Sequence, residues 1–140
     1  MLLDSYRHFI GAELIVRSDN AIETARRLHA VPFVVLSHGT EADPLLNYAN
    51  AAALALWEAT ADRFIGMPSR MTAEPHNRAA RAVALAESMQ RGFATGYSGV
   101  RVSLTGARFR IANATLWTLR DADGQRSGQA ATFSRVLPVD

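Results

Sequence analysis

Two polar residues interrupt the apolar face of a segment that otherwise alternates as a β-strand does. The segment is RFRIANATLWTL, residues 108–119, and on a period of two Asn113 and Thr115 share a face with Ile111 and Trp117. A polar group in a core costs free energy unless it is hydrogen-bonded, so each needs a neighbouring side chain, a trapped water molecule or a bound ligand as a partner. This face is therefore a candidate surface for binding a small molecule.

Further residues join this face when the neighbouring predicted strands are laid beside it. Ser98 falls on the preceding strand and Thr132 on the following one. If a bulge forms in the DADG turn, Gln129 faces inward in place of Gly128 and Ala130. Aromatic residues of the middle helices could stack on a planar ligand. The predicted ligand-binding set is Ser98, Asn113, Thr115, Trp117, Gln129, Thr132, Trp57 and Phe64. The alternative is that its polar members hydrogen-bond one another and its aromatic members pack the core.

A loop and a helix start carry residues that suit ions. His38, Glu41 and Asp43 lie within SHGTEADP, and imidazole and carboxylate groups are ligands for metal ions, although the same residues suit an ordinary turn. Arg70 and Arg78 flank the start of a predicted long helix, whose free amides favour an anion such as phosphate or a carboxylate. The alternative for these arginines is a salt bridge to a carboxylate of that loop or of the helix start.

The composition excludes several kinds of chemistry. The chain of 140 residues has no cysteine, which excludes disulfides, zinc–thiolate sites, iron–sulfur clusters and cysteine–flavin photochemistry. All 15 basic residues are arginine, which excludes a Schiff-base lysine and a P-loop lysine. With neither paired carboxylates nor an HExxH spacing, we expect no catalytic residues; a small enzyme, as a third reading, would use His38 with Asp43 or Glu41 as a general base.

Charge and hydropathy predict the location of the protein and exclude some classes of binding partner. A net charge of +2 is too small to predict a nucleic-acid surface. No apolar run approaches the roughly 20 residues that span a bilayer, and the N-terminal MLLDSYRHF lacks the basic cluster of a secretory signal. We therefore expect a soluble cytoplasmic protein that binds neither nucleic acid nor membrane.

Periodicity predicts helices around two short strands in the first two thirds of the chain. Apolar residues at helical spacing predict a helix over 2–14, and Asn20 suits the cap of a second helix. The runs PFVVLS and LLNYAN predict strands, and ANAAALALWEATADRFIGM predicts two alanine-rich helices with a break near Thr60. A long helix over EPHNRAARAVALAESMQRG would bury an apolar stripe: Ala79, Ala82, Val83, Ala86 and Met89.

The last third predicts three antiparallel strands joined by two short turns. A two-residue turn at the TG dipeptide would set Ser98 opposite Asn113 and, on the reverse face, Arg101 opposite Arg110. Like charges across a ladder repel, so this basic face needs acidic partners. Carboxylates of the N-terminal helices, an anionic partner or a dimer surface could supply them.

The order of these elements resembles a PAS domain preceded by a helical cap. The blocks PFVVLSHGTEADPLLNYANAAALALWE, MPSRMTAEPHNRAAR, GYSGVRVSLTGARFRIANATLW and GQAATFSRV are similar to those of the PAS-like MEKHLA family in its bacterial stand-alone form, over about residues 3–135. The resemblance implies an α+β fold with a five-stranded antiparallel sheet whose concave face is closed by helices. We expect one domain over 1–140, with a helical cap over 1–30 and a PAS core over 31–137.

The resemblance also implies a sensor of a small molecule, whose cofactor is unknown from the sequence. Flavin and haem are both compatible with a PAS fold, and His76 lies near the position from which some haem-binding PAS domains supply an axial ligand. Without an output domain, such a sensor would act through a signalling partner protein or through a homodimer formed by the N-terminal helices or the outer sheet face. The alternative is an interaction or dimerisation module with a fully packed core.

Overall fold

Helices and strands follow one another in the predicted order. The computed structural model describes residues 1–139, apart from the side chain of Ser88. The helices are α1 (Leu2–Ile10), α2 (Ala21–Ala30), α3 (Ala51–Leu56), α4 (Ala61–Phe64) and α5 (Arg78–Arg91), with 3₁₀ turns at Ser69–Thr72 and Pro75–Asn77. The strands are β1 (Val34–His38), β2 (Leu46–Ala49), β3 (Phe93–Val102), β4 (Arg108–Arg120), β5 (Arg126–Phe133) and β6 (Arg135–Pro138).

The strands form one antiparallel sheet in the order β2-β1-β5-β4-β3, which confirms the predicted α+β class. The sheet has six strands where the resemblance implies five, since β6 also pairs with β4. The 13 residues of β4 exceed the 8 of β5, so β5 pairs with the second part of β4 and β6 with the first.

The second helix begins, and the first helix ends, at a recognisable capping residue. The side chain of Asn20 accepts hydrogen bonds from the amides of Ile22 and Glu23, as the predicted cap should. The first helix is shorter than predicted: it ends at Ile10, because Gly11 adopts the left-handed conformation (φ 83°) and its amide donates back to the Arg7 carbonyl.

Both faces of the sheet are covered. On the outer face, α1 packs over β4, where the Tyr6 ring meets Trp117 edge-on at 4.9 Å and the Trp117 indole N–H donates to the Leu2 carbonyl. On the inner face, Trp57 and Phe64 of the middle helices pack with residues of β1, β2, β4 and β5. The sheet therefore separates two apolar clusters.

The face of α5 that packs on β3 and β4 is not the predicted one. Arg81 and Leu85 lie toward the sheet, whereas Val83 and Met89 are 58% and 47% exposed. All five residues of the predicted buried stripe are exposed. The reason is tertiary: the sheet surface under α5 accommodates the long aliphatic stem of an arginine, and its charged head reaches buried polar groups.

The β3–β4 hairpin has a three-residue loop, which corrects the predicted register by one residue. The Ser103 amide donates to the Ala107 carbonyl, and Gly106 takes up the left-handed conformation (φ 91°) that such a loop needs. Arg101 therefore lies opposite Phe109 instead of opposite Arg110. A shift of one residue exchanges the two faces of a strand, so the Arg101 side chain lies on the inner face.

The predicted basic stripe is consequently broken up. Arg110 remains exposed on the outer face, and Arg108 forms an ion pair with Glu74. The carboxylates expected to neutralise the stripe pair with arginines near them in sequence, Glu13 with Arg17 and Glu23 with Arg26.

Asn113 marks a reversal of the two faces along β4. It has a positive φ of 57°, rare for a residue other than glycine, and it is exposed. Before Asn113, Ile111 lies on the inner face; after it, Leu116 does so and Trp117 lies on the outer face. Asn113 occurs in an apolar strand because it tolerates this backbone conformation, not because it lies in the core.

Candidate functional site

A cavity of about 50 Å³ lies between the inner face of the sheet, α3 and α5. Its apolar wall includes Leu36, Leu46, Trp57, Leu85, Ile111 and Phe133. Its polar wall includes His38, Thr72, Arg81, Tyr97, Arg101 and Gln129. An apolar cavity with a few convergent polar groups is the usual form of a small-molecule site.

Arg101 reaches this cavity from β3 and is 7% exposed. Its Nη1 donates a 2.9 Å hydrogen bond to the Val100 carbonyl, and its Nη2 donates a 2.9 Å hydrogen bond to the Tyr97 hydroxyl. The guanidinium also lies 5.5 Å from the centre of the Tyr97 ring, within the range of a cation–π contact. The position of this guanidinium is therefore set by neutral groups.

Arg81 reaches the cavity from α5, and its Nη2 donates a 2.9 Å hydrogen bond to Ser69 Oγ. Burial, together with the positive charge of Arg101, lowers the pKa of Arg81 to about 10. The guanidinium still carries its charge at neutral pH. Two positive groups thus share one small, largely apolar space.

Neither arginine has an acidic partner among residues 1–139, in which every ion pair joins other groups. A buried charge ordinarily has a counter-charge or a dense set of hydrogen bonds. Arg81 and Arg101 lack a counter-charge among the described residues, and together their side chains donate only three hydrogen bonds, all to neutral acceptors. The cavity wall is therefore electropositive.

His38 supplies an imidazole to the same wall and is 7% exposed. Burial lowers the pKa of His38, and the charges of Arg81 and Arg126 lower it further, so the ring is neutral at pH 7. Its Nδ1 lies 3.0 Å from the Gly39 carbonyl, which only accepts hydrogen bonds, so Nδ1 carries the proton. Nε2 is then an acceptor, buried and without a hydrogen-bond partner in the described part of the chain.

Three further polar groups line the cavity. Gln129 is 2% exposed and donates to the Leu85 carbonyl, and the Thr72 hydroxyl donates to the Ser69 carbonyl. The indole N–H of Trp57 is buried and has no partner among the described residues. Two residues of the cavity wall therefore each hold a buried polar atom without a partner in the described part of the chain, the acceptor Nε2 of His38 and the indole N–H donor of Trp57.

The structure brings only part of the predicted ligand-binding set together. Trp57 and Gln129 line the cavity, and Phe64 packs behind Trp57 with ring centres 5.8 Å apart. The inward Gln129 agrees with the bulge that was weighed for the DADG turn, since the β4–β5 register shifts between Leu119 and Arg120.

The other predicted members lie elsewhere. Ser98 and Asn113 are exposed, because of the shifted register and the left-handed residue described above. Thr115, Trp117 and Thr132 lie on the outer face, where Trp117 packs under α1 and the Thr132 hydroxyl donates to the Val34 carbonyl. Their predicted place on the concave face is wrong.

The residues considered for ions make ordinary structural contacts. Arg70 pairs with Asp43 at 3.2 Å, the salt-bridge alternative, and Arg78 donates to the Ala73 carbonyl. Glu41 accepts a hydrogen bond from the Leu45 amide on the surface, while His38 is buried in the cavity. The loop residues 38, 41 and 43 therefore do not converge on one point, either as metal ligands or as a catalytic pair.

Arg81, Arg101 and Tyr97 are the site residues that sequence reasoning missed. Arg101 and Tyr97 were assigned to the wrong face by the one-residue register error, and Arg81 lies on the helix face that polarity marks as exposed. The one available signal was Arg101 itself, which the predicted register placed opposite another arginine.

The cavity does not fit the cofactors compatible with a PAS fold. Pockets for organic ligands of drug size measure about 300–1,000 Å³, and this cavity of about 50 Å³ is too small for the ring system of a flavin or a haem. His76 is exposed and lies beside Asn77 on the surface, away from the cavity wall.

None of the helices described between residues 1 and 139 combines the length and the hydropathy that crossing a bilayer requires.

Three solved structures, among others, share the fold of this chain. A PAS domain from Colwellia psychrerythraea superposes with a TM-score of 0.71 at 13% identity, covering 84% of this chain and 95% of that chain. A light-oxygen-voltage domain studied with a flavin analogue gives a TM-score of 0.64 at 16% identity, covering 87% of each chain. An RNA-binding light-oxygen-voltage receptor gives 0.66 at 20% identity, covering 91% of this chain and 37% of that one. These likenesses show a PAS fold.

Sequence comparison shows the family. The homeobox-leucine zipper protein HOX29 of Oryza sativa subsp. indica is 29% identical over 126 residues, which make up 88% of this chain. The chain spans about 15% of the length of that curated relative. The MEKHLA domain matches residues 1–137, almost the whole chain. The protein therefore belongs to the MEKHLA domain family.

Proposed function

We propose that the chain is a sensor domain that binds a small molecule in the cavity beneath α5 and reports its occupancy to a protein partner. The observation that carries this proposal is the cavity wall, in which Arg101 and His38 are buried and Arg81 is half-buried among apolar side chains, with no acidic partner for either arginine among residues 1–139. A core without a ligand has little use for such groups, because burying them costs free energy.

The long helix α5 is the element best placed to transmit occupancy. One of its faces closes the cavity with Arg81 and Leu85, and Val83, two residues from each and therefore on the opposite side of the helix, is exposed to solvent. A ligand that draws Arg81 toward itself would shift α5 on the sheet and alter the apolar surface that a partner contacts.

Native mass spectrometry of freshly purified protein, with an absorption spectrum of the same sample, tests binding directly. A library of small molecules is then screened for an increase in Tm. Ala131→Leu narrows the cavity and should abolish every genuine shift, whereas Ala122→Leu, in the exposed β4–β5 turn, should preserve it. A ligand whose effect persists in Ala131→Leu binds elsewhere and contradicts the proposal.

A second function, an interaction module with no ligand, is favoured by the exposed apolar residues of α5. In that case Val83→Glu should abolish self-association or partner capture, and no small molecule should change either. Sedimentation velocity of wild type and Val83→Glu, with and without the library hits, separates the two functions.

A further inference from the structure

We propose that the ligand is a short-chain 2-hydroxycarboxylate, its carboxylate held by Arg81 and Arg101 and its hydroxyl hydrogen-bonded to His38. This assignment rests on the proposed function, because it names the ligand class of the same cavity.

The two arginines favour an anionic ligand. Each guanidinium has five N–H donors in a planar fork that matches a carboxylate. In side-chain hydrogen bonds Arg81 uses one donor, to Ser69, and Arg101 uses two, to Val100 and Tyr97. One carboxylate placed between them would offset their mutual repulsion and accept hydrogen bonds from both.

The pKa of Arg81 agrees with an anion at this place. Burial and the charge of Arg101 lower that pKa to about 10. A bound anion acts in the opposite direction, because a nearby negative charge favours the protonated guanidinium. Ligand binding would therefore relieve the electrostatic cost of placing the two guanidinium groups near each other.

The unpartnered acceptor of His38 favours a ligand that carries a hydrogen-bond donor. His38 Nε2 is a buried acceptor with no partner among the described residues, as its Nδ1 proton is committed to Gly39. An ionised carboxylate has no proton to donate, whereas a hydroxyl donates one and can also accept from the unpartnered indole N–H of Trp57. The ligand thus needs both groups, a carboxylate and a hydroxyl.

The size of the cavity sets the spacing of these groups. A space of about 50 Å³ admits only a few non-hydrogen atoms. Both groups must therefore lie on adjacent carbons of a short chain. Of the remaining wall, Leu36, Ile111 and Phe133 are apolar, while Thr72, Tyr97 and Gln129 already take part in hydrogen bonds within the protein.

The first test compares the binding of three two-carbon compounds to the wild-type protein. Binding is measured by isothermal titration calorimetry at pH 7.5, and the change in Tm is a second readout. Glycolate has the carboxylate and the hydroxyl, acetate lacks the hydroxyl, and ethylene glycol lacks the carboxylate. We expect glycolate to bind, acetate to bind at least about tenfold more weakly, and ethylene glycol to give no heat, because each missing group leaves a buried partner unsatisfied. Inorganic phosphate, a small anion without a carboxylate, should also bind more weakly than glycolate.

Three variants assign the contacts. Arg101→Gln and Arg81→Gln should each weaken glycolate binding about tenfold or more, whereas Arg110→Gln, on the outer face of the same sheet, should leave it unchanged. His38→Leu should reduce glycolate affinity to that of acetate and leave acetate affinity as it was. Far-UV circular dichroism of each variant reports folding, and the wild-type series does not depend on any variant.

The outcomes separate the ligand class from the function. The proposal of a hydroxycarboxylate ligand is wrong if ethylene glycol or acetate binds as tightly as glycolate. It is also wrong if Arg81→Gln and Arg101→Gln leave glycolate binding unchanged. If glycolate fails but another library compound binds and is lost in Ala131→Leu, the ligand class is wrong and the sensor function stands. If no compound binds, both proposals fail.

Discussion

The Tyr97 hydroxyl accepts a 2.9 Å hydrogen bond from Nη2 of Arg101, and the two residues lie on the same strand four positions apart. This contact lies in a cavity wall that includes no carboxylate among the described residues, and in it a neutral hydroxyl holds a charged guanidinium. It places the guanidinium at the cavity independently of any ligand.

Loss of this hydroxyl should destabilise the protein. Tyr97→Phe removes the acceptor from a charged donor, and we expect a loss of about 1.5–3 kcal/mol in the free energy of unfolding, measured by urea denaturation. Tyr48→Phe is the matched control, because the Tyr48 hydroxyl is buried without a described partner and its removal should cost nothing. Equal losses in the two variants would show that the Tyr97–Arg101 bond contributes no stability.

The backbone at Asn113 predicts an unusual ranking of substitutions. With φ at 57°, Asn113→Gly should be tolerated within a few tenths of a kcal/mol, whereas Asn113→Val should lose about 1–2 kcal/mol, because a β-branched residue is strained in the left-handed region. In an ordinary exposed strand position valine would be the better residue. Thermal unfolding of the two variants measures this ranking. A higher Tm for Asn113→Val than for Asn113→Gly would contradict the reversal of faces in β4.

A buried asparagine joins three elements of the fold. Asn50 is fully buried; its side chain accepts from the amides of Val35 and Ala53 and donates to the carbonyls of Leu28 and Phe33. Asn50→Ala leaves several buried backbone groups unsatisfied, at about 1–3 kcal/mol for each that water cannot reach.

The exposed cap Asn20 provides the comparison for Asn50. Asn20→Ala should cost only about 1 kcal/mol, the usual value for a helix cap. Both losses are read from chemical denaturation. An Asn50→Ala loss no larger than that of Asn20→Ala would mean that water replaces the buried bonds.

His38 makes stability depend on pH in a defined window. Its pKa is lowered in the folded state, first by burial, so below pH 6.5 the unfolded chain binds a proton that the folded chain does not. The free energy of unfolding should therefore fall as pH decreases from 6.5 toward the folded pKa of His38. Asp4, Glu23 and Glu41, whose pKa values are lowered below the usual 3.8–4.5, contribute only at more acidic pH.

Urea denaturation at pH 7.5, 6.5, 5.5 and 5.0 measures this dependence. His38→Gln should flatten the profile, and the exposed His76→Gln should leave it unchanged. A wild-type profile already flat over this range would show that His38 titrates alike in both states.

Local signals along the chain were sufficient to predict most of the secondary structure, and the resemblance of four sequence blocks predicted the family. The Asn20 cap depends on residues close in sequence, so its conformation follows from local chemistry. The absence of cysteine and lysine bounded the chemistry in the same direct way.

Only the tertiary structure decided which side chains meet. Turns of two and of three residues at Thr105 and Gly106 are both compatible with the local sequence, and they differ by one residue in register, which decides whether Arg101 lies outside or inside. The face of α5 that packs on the sheet was decided by the sheet itself, since the apolar stripe of the helix carried no information about a half-buried arginine at position 81. A candidate site built from charges on two distant elements is a property of their packing, and periodicity within either element does not encode it.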